Sequence, residues 1–312
     1  MTSSGGSWLI TGAAGLLGAN AALELSASGG VTGVARTVPA HAPVPFLAAD
    51  LSRAGDRAGL VERSGADVVL HAAAISTIEQ SDRDPALAHE VNVVASADLA
   101  AQAREGGRGF VYISTDAVFD GTRGAYAEQD AASPQSVYGR TKLDGEQAVL
   151  DAHPGALVAR INFYGWSPSG RRSLAEFFYR SLSAGEPVNG FDDQVVSTLY
   201  VGYLVEAIRD LVAAGASGVV HVASGEPTTK FAFGQRLASA FGFDPELVRA
   251  ARSDEHLAHR RGSRLDLDTA KMEGLLGRPS IGQQQSIDRL VADRDAGRAL
   301  DVESFRAREE TA

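Results

Sequence analysis

The chain has 312 residues, a formal net charge of −10, and 44% hydrophobic and 22% charged residues. Such a chain buries a sizeable core in one large domain or two intimate ones, and its acidic balance disfavours nucleic acid and anionic membrane as partners. Cysteine is absent, which excludes disulfides, thiol nucleophiles and zinc–thiolate sites, and no metal is expected. No apolar run reaches the ~20 residues of a membrane span, and the N-terminal "MTSSGGSWLITG" lacks the basic and apolar regions of a secretion signal. A soluble cytoplasmic protein is the simplest expectation.

The first half alternates short apolar runs with helical patterns. "SWLITG" predicts a first strand, "GLLGANAALELSAS" a helix, and "GVTGVAR" and "PFLAAD" two more strands. "ADVVLHAAA" and "GFVYIS" follow as the fourth and fifth, with the helical "PALAHEVNVVASADLAAQARE" between them. Nearly continuous apolar strands alternating with helices predict an α/β, doubly wound parallel Rossmann sheet covered on both faces. A helix is expected through "KLDGEQAVLDA", a sixth strand in "GALVARINFYG", an amphipathic helix in "VGYLVEAIRDLVAAG" and a late strand in "GVVHVAS". Residues 1–165 with 198–224 are expected to form the dinucleotide-binding domain. The irregular segments 166–197 and 225–290 read as a smaller substrate lobe over the sheet's carboxyl edge. Residues 291–312 read as a charged tail or peripheral helix.

Each strand end carries a residue with chemical potential. "ITGAAGLLG" sets Gly12, Gly15 and Gly18 after the first strand, with Leu16 and Leu17 opening the helix. Glycines so placed allow a tight turn, close backbone approach to a pyrophosphate and close helix–strand packing, and the helix start offers free N–H groups to phosphate. The second strand ends in Arg36 where an NAD site would usually carry an acid. A guanidinium there suits a 2′-phosphate, so NADPH is expected over NADH. Asp50, followed by Leu51, ends the third strand; it can accept from an adenine amino group or cap the next helix. Ala72, Ala73 and Ala74 end the fourth strand and let a cofactor approach the backbone; His71 beside them reads as packing.

The fifth strand ends in Ser114, Thr115 and Asp116, and "SVYGRTK" follows with Tyr138 and Lys142 at i and i+4, on one helix face. Only three lysines occur, Lys142, Lys230 and Lys271, so Lys142 is a poor candidate for a chance surface lysine. A nearby ammonium lowers a tyrosine pKa from its usual value of about 10, which makes Tyr138 a general acid/base, with Thr115 orienting the same substrate oxygen.

These residues together resemble the extended short-chain dehydrogenase/reductase family. Within it, "STDAVFDG…YAEQDAASPQSVYGRTKLDGE" is similar to dTDP-4-dehydrorhamnose reductases and their sugar-nucleotide relatives, and "RLDLDTAKMEGLLGRP" (264–279) resembles a C-terminal stretch of that group. The likeness is stronger over 7–165 than beyond. It implies a Thr115–Tyr138–Lys142 catalytic set and an Asn92 that supports a water relay to the lysine. It further implies a nucleotide-sugar substrate faced by Asp116, Asn162, Asp193, Gln194 and Thr198. A homodimer, common in the fold, is compatible. The chain departs from the rhamnose-type pattern at Leu16, where glutamine is frequent, and at Val195, Val196 and Ser197. Two other readings stand beside a ketosugar reductase. A 4,6-dehydratase or epimerase is disfavoured by Ala117, where dehydratases carry glutamate, and by Arg36. A non-catalytic NADP-binding regulatory subunit is disfavoured by the intact Thr–Tyr–Lys set.

Overall fold

The computed structural model describes residues 6–253 and 263–307. In its first half, strands β1 (Trp8–Thr11), β2 (Val31–Ala35), β3 (Phe46–Ala48), β4 (Val68–His71) and β5 (Gly109–Thr115) alternate with helices. The helices are α1 (Leu16–Ser26), α2 (Ala54–Arg57), α3 (Leu60–Ser64), α4 (Ile78–Arg83), α5 (Pro85–His89) and α6 (Ala95–Glu105). A π-turn, Glu90–Val94, joins α5 to α6. Then come α7 (Val137–Ala152), β6 (Leu157–Ile161), β7 (Phe163–Tyr164), α8 (Leu174–Ser183), β8 (Val188–Phe191), β9 (Val195–Val196) and β10 (Leu199–Tyr200). The rest comprises α9 (Val201–Ala213), β11 (Gly218–Val222), β12 (Thr228–Thr229), α10 (Lys230–Ala240), β13 (Val248–Ala251), α11 (Ala270–Leu276), α12 (Gln283–Asp295) and α13 (Arg298–Glu303).

Seven strands form one parallel sheet in the order β11-β6-β5-β4-β1-β2-β3. The order reverses between β1 and β4, which opens a crevice at their carboxyl ends. Each face buries its own apolar set. Ile10, Leu70, Val111 and Ala159 pack with α1 and α9, while Leu9, Val69, Phe110 and Val158 pack with α3, α6 and α7. That two-sided burial is why the strands read as unbroken apolar runs.

Three two-stranded pairs, β7 with β10, β9 with β12 and β8 with β13, build the lobe over the carboxyl edge. The segment expected to be irregular, 166–197, contains the regular helix α8. Ser173 accepts from the Glu176 N–H, and the Glu176 carboxylate accepts in return from the Ser173 N–H, a capping box that starts the helix sharply. The charged C-terminal stretch is no loose tail over its described part. Val302 and Phe305 are fully buried, and Arg298 pairs with Glu24 of α1. Residues 254–262 and 308–312, which the expected lobe and tail include, lie outside the described residues.

Candidate active site

The carboxyl ends of the central strands and the near face of the lobe enclose a cleft of about 1050 Å³. At one end lies the glycine loop. Gly12 has φ +68°, and a Cβ there would come within 2.8 Å of the Ala73 N. A Cβ on Gly18 would come within 2.3 Å of the Gly12 carbonyl oxygen. Both therefore pack the loop tightly on itself and on β4. Gly15 differs: a Cβ there would meet only the Gly12 carbonyl, at 3.1 Å, and its remaining face opens on the cleft. α1 starts at this point with no side-chain cap, so the first-turn N–H groups of Leu16, Leu17 and Gly18 have no intrahelical acceptor. A tight, uncapped helix start facing a cleft fits a pyrophosphate.

Arg36 is exposed on the cleft rim. Ser52, whose N–H (3.0 Å) and hydroxyl (2.7 Å) donate to Asp50, holds the Asp50 carboxyl down, and the Arg36 charge lowers it further. Asp50 thus closes a turn ahead of α2, whose N-cap is Arg53, so the capping alternative is corrected. Asp50 and Leu51 line the cleft, as do Ala72, Ala73 and Ala74.

Thr115, Tyr138 and Lys142 all line the same cleft. Ser136 caps α7 by accepting from the Gly139 N–H at 3.0 Å, which sets Tyr138 in the first turn and Lys142 one turn on. Tyr138 is half-buried, and its hydroxyl is pushed up to about 12 by desolvation; Thr115 pulls it down and Asp116 pushes it up. Lys142 is buried and held down at about 7, again by desolvation, with Glu146 opposing. The lysine is not among the influences on the tyrosine. Burial is the largest influence on Tyr138, which stays protonated at neutral pH in the free protein.

Asp116 is buried at the cleft floor, and desolvation raises its carboxyl against the opposing pull of Asn162, Thr115 and Lys230. Asn162 donates to it at 2.5 Å and Thr115 at 3.1 Å. Gln194 accepts from Lys230 at 2.5 Å and shares the cleft wall. The other two expected substrate residues lie elsewhere. Asp193 is occupied by Ser253 at 2.9 Å and does not line the cleft. Thr198 is buried beneath the lobe, its carbonyl accepting from Gln283. Both stand in the connections that flank β9, where spacing alone does not set which side chains reach the cleft.

The Asn92 side chain binds the backbone of Ile75 (2.9 and 3.1 Å) and donates to Thr141 (3.0 Å), while its carbonyl accepts from Tyr112 (2.9 Å) and Ser96 (2.9 Å). His71, read as packing, is hydrogen-bonded at both ring nitrogens. The sequence reading missed Lys230 and Arg172 on the lobe side of the cleft. The scarcity of lysine was a usable signal for Lys230.

The fold and the Thr–Tyr–Lys cleft together define the class, that of the extended short-chain dehydrogenase/reductases. Comparison narrows it. The family described as "RmlD substrate binding domain" matches residues 7–295. The chain is 33% identical to the probable low-salt glycan biosynthesis reductase Agl14 of Haloferax volcanii, over 86% of this chain and 91% of that one. It is 32% identical to the dTDP-4-dehydrorhamnose reductase of Mycolicibacterium smegmatis, over 80% and 73% of the two chains. It is 31% identical to methionine adenosyltransferase 2 subunit beta of Mus musculus, over 88% and 83%. A crystal structure of dTDP-4-dehydrorhamnose reductase from Bacillus anthracis in complex with NADP superposes with a TM-score of 0.81. That superposition covers 92% of this chain and 99% of that one, at 23% identity. The chain belongs to the RmlD substrate binding domain family, the dTDP-4-dehydrorhamnose reductase-like group.

Proposed function

We propose that the protein is an NADPH-dependent reductase of a nucleotide-linked 4-keto-6-deoxysugar. The observation that carries this reading is the convergence of Thr115, Tyr138 and Lys142 on one cleft whose far end is the open glycine loop. Gly12, Gly15, Gly18 and the α1 start would hold the pyrophosphate, and Arg36 the 2′-phosphate. NADPH when bound supplies the hydride that adds to the carbonyl carbon. Tyr138 donates its proton to the carbonyl oxygen as the alkoxide develops. A hydroxyl whose pKa stands at about 12 is loaded with its proton at neutral pH, as a donor must be. Thr115 orients the substrate oxygen. Lys142 offers its ammonium to the cofactor ribose and to the phenolate left on Tyr138. Asp116, Asn162, Gln194 and Lys230 form the sugar end of the cleft.

The test follows nicotinamide absorbance with NADPH and a dTDP-4-keto-6-deoxyhexose, NADH in parallel, and Tyr138→Phe as control. Faster oxidation of NADPH than NADH, lost in Tyr138→Phe with cofactor binding kept, is the expected result. Turnover that survives in Tyr138→Phe removes the proton-donor role. The likeness to a methionine adenosyltransferase subunit supports a second reading, a binding subunit. Tight NADPH binding without oxidation of any ketosugar would favour it.

A further inference from the structure

Lys142 is held without a counter-ion. Among the described residues it makes no ion pair, and the carboxylate one turn on, Glu146, is engaged by Arg160 (2.7 Å) and by the Ser114 hydroxyl. The ammonium instead lies 3.7 Å from the centroid of the Tyr112 ring. Tyr112 is fully buried on β5, and its hydroxyl donates to the Asn92 carbonyl at 2.9 Å. Helix α7 reaches this position only because residue 145 is glycine: a Cβ there would stand 2.2 Å from the Tyr112 hydroxyl and 2.3 Å from the Asn92 carbonyl oxygen.

The ring is fixed by a chain of hydrogen bonds with a single consistent direction. A carbonyl can only accept, so Ser96 donates to Asn92 (2.9 Å) and must accept from His71 Nε2 (2.9 Å). His71 is neutral, its pKa held at about 3 by burial and by Lys142. Its Nδ1 therefore accepts from Thr11 (2.8 Å), which in turn accepts from the Ala73 N–H (3.2 Å). The chain runs from the strand ends under the glycine loop to the carbonyl that holds Tyr112, and every member is satisfied.

We propose that Tyr112 is a positioning residue for Lys142, its ring face carrying the ammonium in place of a carboxylate while the Thr11–His71–Ser96–Asn92 chain fixes the ring. This rests on the reading of Lys142 as the catalytic lysine. A carboxylate would cancel the charge and occupy N–H donors. An aromatic face attracts a desolvated cation without doing either, and so leaves the donors for ribose hydroxyls and the charge for Tyr138. Of the other groups bearing on the lysine, His71 on β4 is neutral and Tyr138 is protonated, while Glu146 on α7, bound to Arg160 of β6, supports the charge without contacting the ammonium.

The protein has three lysines, so ¹³C-lysine labelling gives three sets of side-chain signals, and Lys142→Arg assigns the relevant one. Its titration would be read in the free protein, independently of turnover, for wild type, Tyr112→Phe, Tyr112→Leu and the near-isosteric pentafluorophenylalanine at position 112. Removal or reversal of the ring's negative face should lower the Lys142 midpoint by about one pH unit in the leucine and pentafluoro proteins. Tyr112→Phe should stay near wild type. Under a ketosugar assay the same two proteins should lose kcat on the alkaline side with little change in sugar KM. An unchanged midpoint in the pentafluoro protein overturns the proposal even if the leucine variant does not fold. An equal fall in Tyr112→Phe overturns it too, because the hydroxyl and not the ring would then be responsible. A protein that titrates as expected but oxidises no NADPH would refute the reductase reading alone.

Discussion

The Glu146–Arg160 pair makes the sharpest energetic prediction. Both side chains are nearly inaccessible, at 4% and 6% exposure, and the guanidinium meets the carboxylate through Nε (3.0 Å) and Nη2 (2.7 Å). Glu146→Leu leaves the guanidinium buried over the Phe119 ring with no counter-charge. Stranding one member of such a pair costs about 3–5 kcal/mol. At about 2–4 °C per kcal/mol for a chain of this size, the melting temperature should fall by roughly 6–20 °C. The double variant Glu146→Leu/Arg160→Met removes both charges and should recover most of that loss, because two apolar side chains in their place are close to neutral. Yet it should not recover the lysine: Glu146 is what holds the Lys142 pKa up against burial, so the stable double variant should titrate Lys142 below its present value of about 7. Circular dichroism melts and urea titrations of the four proteins of the cycle decide the matter. A single variant within 2 °C (roughly 1 kcal/mol or less) of wild type, or a double variant as damaged as the single, refutes the reasoning.

Tyr138→Phe should lower kcat on the order of 10²–10⁴-fold while NADPH quenching of protein fluorescence keeps its midpoint. Arg36→Ser should weaken NADPH binding by roughly 10–100-fold, the value of one or two charge-assisted hydrogen bonds, and leave NADH binding unchanged by calorimetry. Asp116→Asn should raise the melting temperature at pH 7 and not at pH 4. The folded carboxyl is raised above its unfolded value, so the folded state binds more protons and wild type loses stability as pH climbs through that window. A stability curve of Asp116→Asn parallel to wild type from pH 4 to 7 would remove buried charge at Asp116 as a cost.

Most of the Rossmann half was legible because its signals are local. Gly12 and Gly18 are forced by contacts within a few residues or with one neighbouring strand end, and Tyr138 and Lys142 share a helix face by spacing alone. The lobe was less legible because its strands are two to four residues long and pair across distant sequence, as β9 does with β12 and β8 with β13. Asp193 and Gln194 stand in the connection between β8 and β9, where no periodicity says which side chain reaches the cleft; Gln194 does and Asp193 does not. The capping box of α8 was present in "SLAEFF" and went unread. The docking of Phe305 against Phe46 (6.2 Å) had no local signal, since the residues around Phe305 are charged and its partner lies far back in the chain.

Local hydrogen bonds and burial set the balance at the site: Ser52 holds Asp50, Ile75 and Thr141 hold the Asn92 side chain, and desolvation governs Lys142 and Asp116. Lys142 loses charge to desolvation before any neighbour acts, and so does Asp116 in the opposite sense, its carboxyl favouring the neutral form. A cleft that drives both groups toward neutrality becomes most responsive to whatever charge is brought into it. The phosphates of NADPH, entering between the glycine loop and Arg36, would raise the lysine toward full protonation. The free protein and the loaded one should therefore differ most in the charge of the residue that Tyr112 carries, and the three-lysine spectrum recorded with and without NADPH reads that difference directly. A Lys142 midpoint that stays near 7 with NADPH bound would mean that the phosphates and ribose do not reach it.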